Sequence, residues 1–104
     1  MIQTFGLAEK DIQAIRTVFA KYPAVEKVLL YGSRAMGNFK NGSDIDLVLV
    51  GPEKLNLNIQ YKIMEDIDEL MLPYLFDISI FHKISDPSVI DHINRVGVVF
   101  YESK

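Results

Sequence analysis

GSRAMGNFKNGSDID, residues Gly32 to Asp46, joins two apolar runs and holds most of the chain's closely spaced polar chemistry. The run before it, Val25 to Tyr31 (VEKVLLY), is short and strand-like. The run after it, Asp44 to Val50 (DIDLVLV), is the strongest strand signal in the chain and is closed by Gly51-Pro52. Between them, Ser33 is placed to cap a short helix, and Phe39 to Gly42 forms a turn ending in the dipeptide Asn41-Gly42. A turn at that point predicts antiparallel pairing of the two strands.

Working outward, Ile12, Ile15, Val18 and Phe19 recur at helical spacing and predict a helix from Ala8 to Lys21, ended by Tyr22-Pro23. Downstream, Ile59, Ile63, Ile67 and Leu70 form the stripe of a helix from Leu57 to Met71, stopped by Pro73. Leu75 to Phe81 (LFDISIF) reads as a third strand. Pro87 opens a last helix that runs to Arg95 and ends at Gly97, and Val98 to Tyr101 follows as a short strand. The expected architecture is a small α/β (α+β) domain, a mixed sheet with helices packed against it, spanning residues 1–104 as one unit.

The composition bounds the chemistry. The 104 residues carry 49% apolar and 24% charged side chains, an ordinary globular mix that supports one core. With no cysteine, disulfide scaffolds, thiolate zinc sites and cysteine nucleophiles are excluded. Two histidines, His82 and His92, make no histidine cage; they read as a strand-end residue and an exposed helix residue. A metal here is expected to be hard and held by carboxylates. A net charge of −3 argues against stable coating of DNA or RNA. No apolar run reaches the roughly 18 residues of a transmembrane helix. The start, Met1-Ile-Gln-Thr-Phe, lacks the pattern of a secretory signal, so a cytoplasmic protein is the default.

On a strand, residues two apart share a face, so Asp44 and Asp46 project together with alpha carbons roughly 6.5 Å apart. Two carboxylates about 5 Å apart repel by roughly 3 kcal/mol at an effective dielectric near 20. No lysine or arginine lies between Ser43 and Lys54 to offset this, which leaves a divalent cation, and Asp-x-Asp suits Mg²⁺. Asp77 shares a face with Ser79 in an otherwise apolar strand, where a lone carboxylate is costly unless paired, exposed or metal-bound. If its strand lies beside the Asp-x-Asp strand, three carboxylates meet in one cleft able to hold two cations and, through them, a nucleoside triphosphate. Gly32 lets the backbone approach a ligand. Ser33 adds a hydroxyl and free N–H groups, and Arg34 could contact phosphate or pair with a carboxylate. No Gly-Lys-Ser/Thr is present, so this is not a Walker A loop.

Gly32-Ser33, a short helix, then Ser43-Asp44-Ile45-Asp46-Leu47 and a third aspartate on a later strand resemble the nucleotidyltransferase superfamily of DNA polymerase beta. The Gly-Ser-Arg-Ala-x-Gly form and small size resemble its minimal nucleotidyltransferase branch. The resemblance implies a polymerase beta palm-like fold in which Gly32 and Ser33, with Arg34 nearby, bind ATP or another nucleoside triphosphate. It implies that Asp44 and Asp46 ligate two Mg²⁺ ions, and that Asp77 ligates the catalytic one and helps deprotonate the attacking hydroxyl. The implied reaction is in-line attack on the α-phosphorus with loss of pyrophosphate. The branch is often paired with a small helical HEPN-type protein, typically a ribonuclease toxin, which the minimal enzyme counters as antitoxin, in some cases by adenylylating a tyrosine. The branch usually has a second Arg or Lys where this chain has Met36.

Two rivals accompany that reading. One is a non-catalytic antitoxin that works by occluding its partner, in a homo- or hetero-oligomer. The other is nucleotidylation of a small molecule, which normally requires a further substrate-binding domain. Met64 and Met71 read as core or interface filler. Glu65-Asp66-Asp68-Glu69 reads as the solvated face of its helix or, alternatively, a face for a basic partner.

Overall fold

The computed structural model describes residues 5–40 and 42–103. Met1 to Thr4, Asn41 and Lys104 lie outside it, and with them the reading of the N-terminal segment and the Asn41 half of the Asn41-Gly42 turn.

Local signals become elements close to where the spacing puts them. Helix α1 spans Glu9–Ala20, with acidic Glu9 and Asp11 in its first turn, where the helix dipole favours them, and Ile12, Ile15, Val18 and Phe19 buried. Strand β1 is Lys27–Tyr31, the short helix α2 is Ser33–Met36, and strand β2 is Ile45–Val50. Helix α3, Leu57–Asp68, starts at Asn56, whose side chain accepts the Ile59 N–H at 3.0 Å. It stops short of the expected Met71, which adopts a left-handed backbone with φ 56°. Strand β3 is Phe76–Ile80 and runs into a short 3₁₀ turn at Phe81–Lys83 that contains His82. Helix α4, Pro87–Val96, is capped by the Asp86 carboxylate, and strand β4, Val98–Glu102, closes the sheet.

The sheet order is β3-β2-β1-β4. β1 pairs antiparallel with β2 and with β4, the latter with a register shift at Val28/Leu29. β2 and β3 run parallel, so the sheet is mixed as expected. A parallel pair needs a long crossover, and α3 provides it.

Alternation along the strands separates two faces. Val28, Leu30, Ile45, Leu47, Leu49, Ile78 and Ile80 form the core face against α1 and α3, joined by Phe100. On the other face, the ring of His92 in α4 meets Tyr31 of β1 edge-on at 6.3 Å, and Ile93 is buried beside it. Each fully buried Ile, Leu or Phe contributes about 1.5–3 kcal/mol, so the α1–α3 face carries most of the fold's stability.

Two expectations are corrected here. Of the two readings of Met64 and Met71, core or interface filler, the core one fails: both are exposed, Met71 at 86%. Asp66 is less simply solvated than its neighbours, because it accepts the Tyr22 hydroxyl at 2.5 Å and lies 3.8 Å from Lys21. That hydrogen bond ties the end of α1 to α3 and pushes the Tyr22 hydroxyl from 10.0 to about 12. A raised folded value means that the bond's stabilisation is complete below pH 10.0 and is lost as pH rises toward 12. Tyr22→Phe is expected to cost about 1 kcal/mol at neutral pH and to lose its deficit in strongly alkaline buffer, as read by urea unfolding.

A carboxylate face beside a glycine-serine corner

β1 ends at Tyr31, and the chain must turn sharply into α2. Gly32 makes that turn with φ 78° and ψ −158°, a conformation that is essentially glycine-only. A Cβ at this position would collide with a carboxylate oxygen of Asp46. The missing side chain is therefore the space in which the Asp46 carboxylate lies. Gly32, rather than the expected Ser33, occupies the cap position of α2, and no side chain caps that helix. Gly32→Ala adds backbone strain of about 1–3 kcal/mol and displaces Asp46. A thermal melt should show a loss of that size, and any transfer activity should fall further than the melt alone accounts for.

Register then assembles the acids. In the parallel β2–β3 pair, Asp46 stands opposite Asp77. Neighbouring strands lie about 4.8 Å apart, and paired residues project to the same face. Asp44 lies two residues before Asp46, just ahead of β2. Asp77 and Asp44 are exposed and Asp46 is half-buried. Burial first, then the negative charges of Asp77 and Asp44, push the Asp46 carboxyl above the usual carboxylate range, while His92 works in the opposite direction. The Asp46 charge is thus under-compensated, which is the electrostatic condition a bound cation relieves.

Among the described residues, no three Asp, Glu or His side chains gather closely enough to hold a metal by themselves. The sheet brings Asp46 and Asp77 side by side, with Asp44 within electrostatic reach, and forms no closed cage. The donor set still fits Mg²⁺ in kind, because that ion takes hard oxygen donors, keeps several waters, and is commonly held by one or two carboxylates plus substrate phosphates.

Arg34 is where the structure departs most from expectation. It contacts neither the carboxylate face nor an acidic partner. It is 3% exposed, and its Nε and Nη2 donate to the Ser43 carbonyl at 3.1 and 2.9 Å while Nη1 donates to the Phe5 carbonyl at 2.9 Å. The rings of Phe39 and Tyr74 flank the guanidinium at 5.1 and 5.7 Å. Arg34 therefore pins the segment leading into Asp44. Met36, where a second basic residue was expected, is 52% exposed.

Near the acids, Tyr31 escaped the sequence reading, and His92, read as an exposed helix residue, is half-buried. Tyr31 pairs directly with Asp46 across β1–β2. Burial, with added repulsion from Asp77 and Asp46, raises its hydroxyl above the ordinary range. Strand alternation before Gly32 was the signal that could have found it. His92 reaches the same face from α4, against Tyr31. Nothing local marks it, because which sheet face α4 covers is decided by the fold. His82 is not a strand residue; its ring bonds the Leu55 carbonyl at 3.0 Å.

The carboxylates sit on an open end of the sheet. The well-formed grooves lie elsewhere, along α3 and β3, with volumes of about 370 and 210 Å³.

Residues 13–104 match the family described as Polymerase beta, Nucleotidyltransferase. No curated protein matches the sequence. Among solved structures, a chain of a toxin–antitoxin complex with AMP-PNP superposes with a TM-score of 0.70 at 16% identity, covering 94% of this chain and 76% of that one. A chain of the MntA–HepT toxin–antitoxin complex gives 0.67 at 12% identity, covering 92% and 74%. A chain from a tri-AMPylated Shewanella oneidensis HEPN toxin in complex with MNT antitoxin gives 0.66 at 12% identity, covering 91% and 72%.

Proposed function

Because the chain belongs to the polymerase beta nucleotidyltransferase family, we propose that it is a minimal nucleotidyltransferase that moves AMP from ATP to a hydroxyl of a helical HEPN-type partner toxin in the cytoplasm, and so acts as its antitoxin. The observation that carries the reading is the direct pairing of Asp46 with Asp77 beside the Gly32 corner. The fold shared with chains of toxin–antitoxin complexes, one holding AMP-PNP and one containing an AMPylated HEPN toxin, supports the nucleotide and the partner class.

In this reading Asp44, Asp46 and Asp77 hold two Mg²⁺ ions. When bound, these would neutralise phosphate charge and make the acceptor hydroxyl easier to ionise. The Gly32-Ser33 corner holds the triphosphate through its backbone N–H groups and the Ser33 hydroxyl. Asp77, exposed at the edge strand, takes the acceptor's proton. The acceptor oxygen bonds to the α-phosphorus as the bond to the β-phosphate oxygen breaks, and pyrophosphate leaves with that electron pair. Arg34 fixes the backbone ahead of Asp44, so the first two acids keep their spacing. Incubating the protein with Mg²⁺, labelled ATP and the product of its adjacent reading frame should label that product. A folded protein that transfers no label in the presence of metal would count heavily against catalysis.

A second reading, inhibition by occlusion, is favoured by the open carboxylate face, the lack of a closed three-ligand cluster among the described residues and the exposed Met36. Asp44→Asn with Asp46→Asn separates the two. Cells protected by the double variant as well as by the wild type would make occlusion the function.

A further inference from the structure

The exposed apolar surface is concentrated on one flank. Leu57, Tyr61 and Met64 follow one another at helical spacing along the outer side of α3, with exposures of 62%, 67% and 40%. Met71 and Leu75 extend the stripe toward β3, at 86% and 70%. Side chains of this size are seldom left together in water on a protein that functions alone. The two grooves run beside this stripe. The larger lies at the Met64–Asp68 end of α3 against Phe76 and Ile78, and the smaller at the Leu57 end against Ile80 and Lys83. From Leu57 to Asp68, α3 is about 16 Å long, the length of three helical turns.

Three observations restrict what fits there. A strand could add to the free edge of β3, but Gln60 Nε2 already donates to the Ile78 carbonyl at 2.7 Å, so the middle of that edge is engaged. A second copy meeting the same patch with the two α3 helices parallel would set acid against acid. Glu65 and Asp68 line the larger groove, Asp66 and Glu69 stand beside them, and no Lys or Arg occurs from Ile63 to Phe81. A helix with an apolar face and a basic end complements both the stripe and its acidic end.

We infer that the α3–β3 flank docks an amphipathic helix of the partner protein, its apolar face on Leu57, Tyr61 and Met64 and its basic end against Glu65 and Asp68. The inference rests on the partner reading above and adds the surface and its polarity.

The test is the affinity of the full chain for the product of its adjacent reading frame, measured by titration calorimetry. Leu57→Asp with Met64→Asp should weaken binding by about 30-fold or more, the size expected when buried apolar anchors are lost. Glu65→Lys with Asp68→Lys should weaken it about tenfold, less so at high salt. Val99→Asp, exposed on β4 at the far edge, should leave it unchanged. All these positions are exposed, and matching circular dichroism melts verify that the fold is kept. Affinity unchanged in both double variants, with wild-type binding intact, overturns the surface and leaves the function standing. A wild-type dimer broken by Leu57→Asp with Met64→Asp makes a second copy the occupant and also overturns it. No wild-type binding at all overturns both the surface and the partner reading.

Discussion

Asp46→Asn is expected to lower nucleotidyl transfer by about three orders of magnitude or more while leaving the fold at least as stable. Asp46 is the centre of the carboxylate row: it pairs with Asp77, follows Asp44 by two residues and lies in the space Gly32 leaves open. Replacing it removes the one acid adjacent to both others. The same change relieves repulsion in the free protein. Burial and the charges of Asp77 and Asp44 raise the Asp46 carboxyl. The folded state therefore favours its protonated form, and some stability is lost as pH rises through the raised value. Wild type should melt below Asp46→Asn at neutral pH and approach it in mild acid. Because the group is half-exposed, solvent screening keeps the gap within about 1 kcal/mol. Mg²⁺ should raise the wild-type melting temperature and have less effect on the variant, since a ligand that binds only the folded state stabilises it. Single-turnover transfer and melts with and without Mg²⁺ check all three statements. A variant that transfers at the wild-type rate would sink the assignment of Asp46.

Arg34→Ala is expected to destabilise the protein by about 3–4 kcal/mol. It removes three hydrogen bonds to the Ser43 and Phe5 carbonyls, each worth about 1 kcal/mol net and more where a buried carbonyl is left unpaired. It also empties the slot between Phe39 and Tyr74, which the guanidinium fills. Arg34→Lys should recover little, because an ammonium cannot hold two carbonyls and stack on two rings at once. Chemical denaturation measures the loss. Had Arg34 been a phosphate contact, the alanine variant would unfold like wild type and lose only nucleotide affinity; that result would contradict the geometry. Any residual activity should show a reduced maximal rate as well as weaker binding, because the path of the chain into Asp44 is no longer pinned.

Arg34 also shows where reading from sequence stops. Its neighbours, Gly32 and Ser33, suggested a ligand contact, and at one residue's distance that was reasonable. The side chain instead turns inward, because Phe5, the loop of Phe39 and Ser43, and Tyr74, from three separate parts of the chain, form a slot around it. For the two methionines, read as core or interface filler, only the core half of the reading fails, for a related reason. Apolar side chains on a helix read as core, yet the outer face of α3 has nothing covering it within this chain. Asp77 does stand opposite Asp46, but it is exposed, so the cost that marked it in an apolar strand is not incurred.

From the sequence alone came the order and type of the elements, the antiparallel pairing of the first two strands and the glycine at the strand end. All of these depend on spacings of two, three or four residues, which the backbone imposes locally. The tertiary structure alone decided that β3 lies parallel beside β2 in the register that sets Asp77 against Asp46, that α4 brings His92 to Tyr31, and that Arg34 is buried. Strands about thirty residues apart find their register by burying one face of each against α1 and α3 together. A slip of a single residue would turn Asp77 into the core, and only the packed whole carries the energy that forbids it.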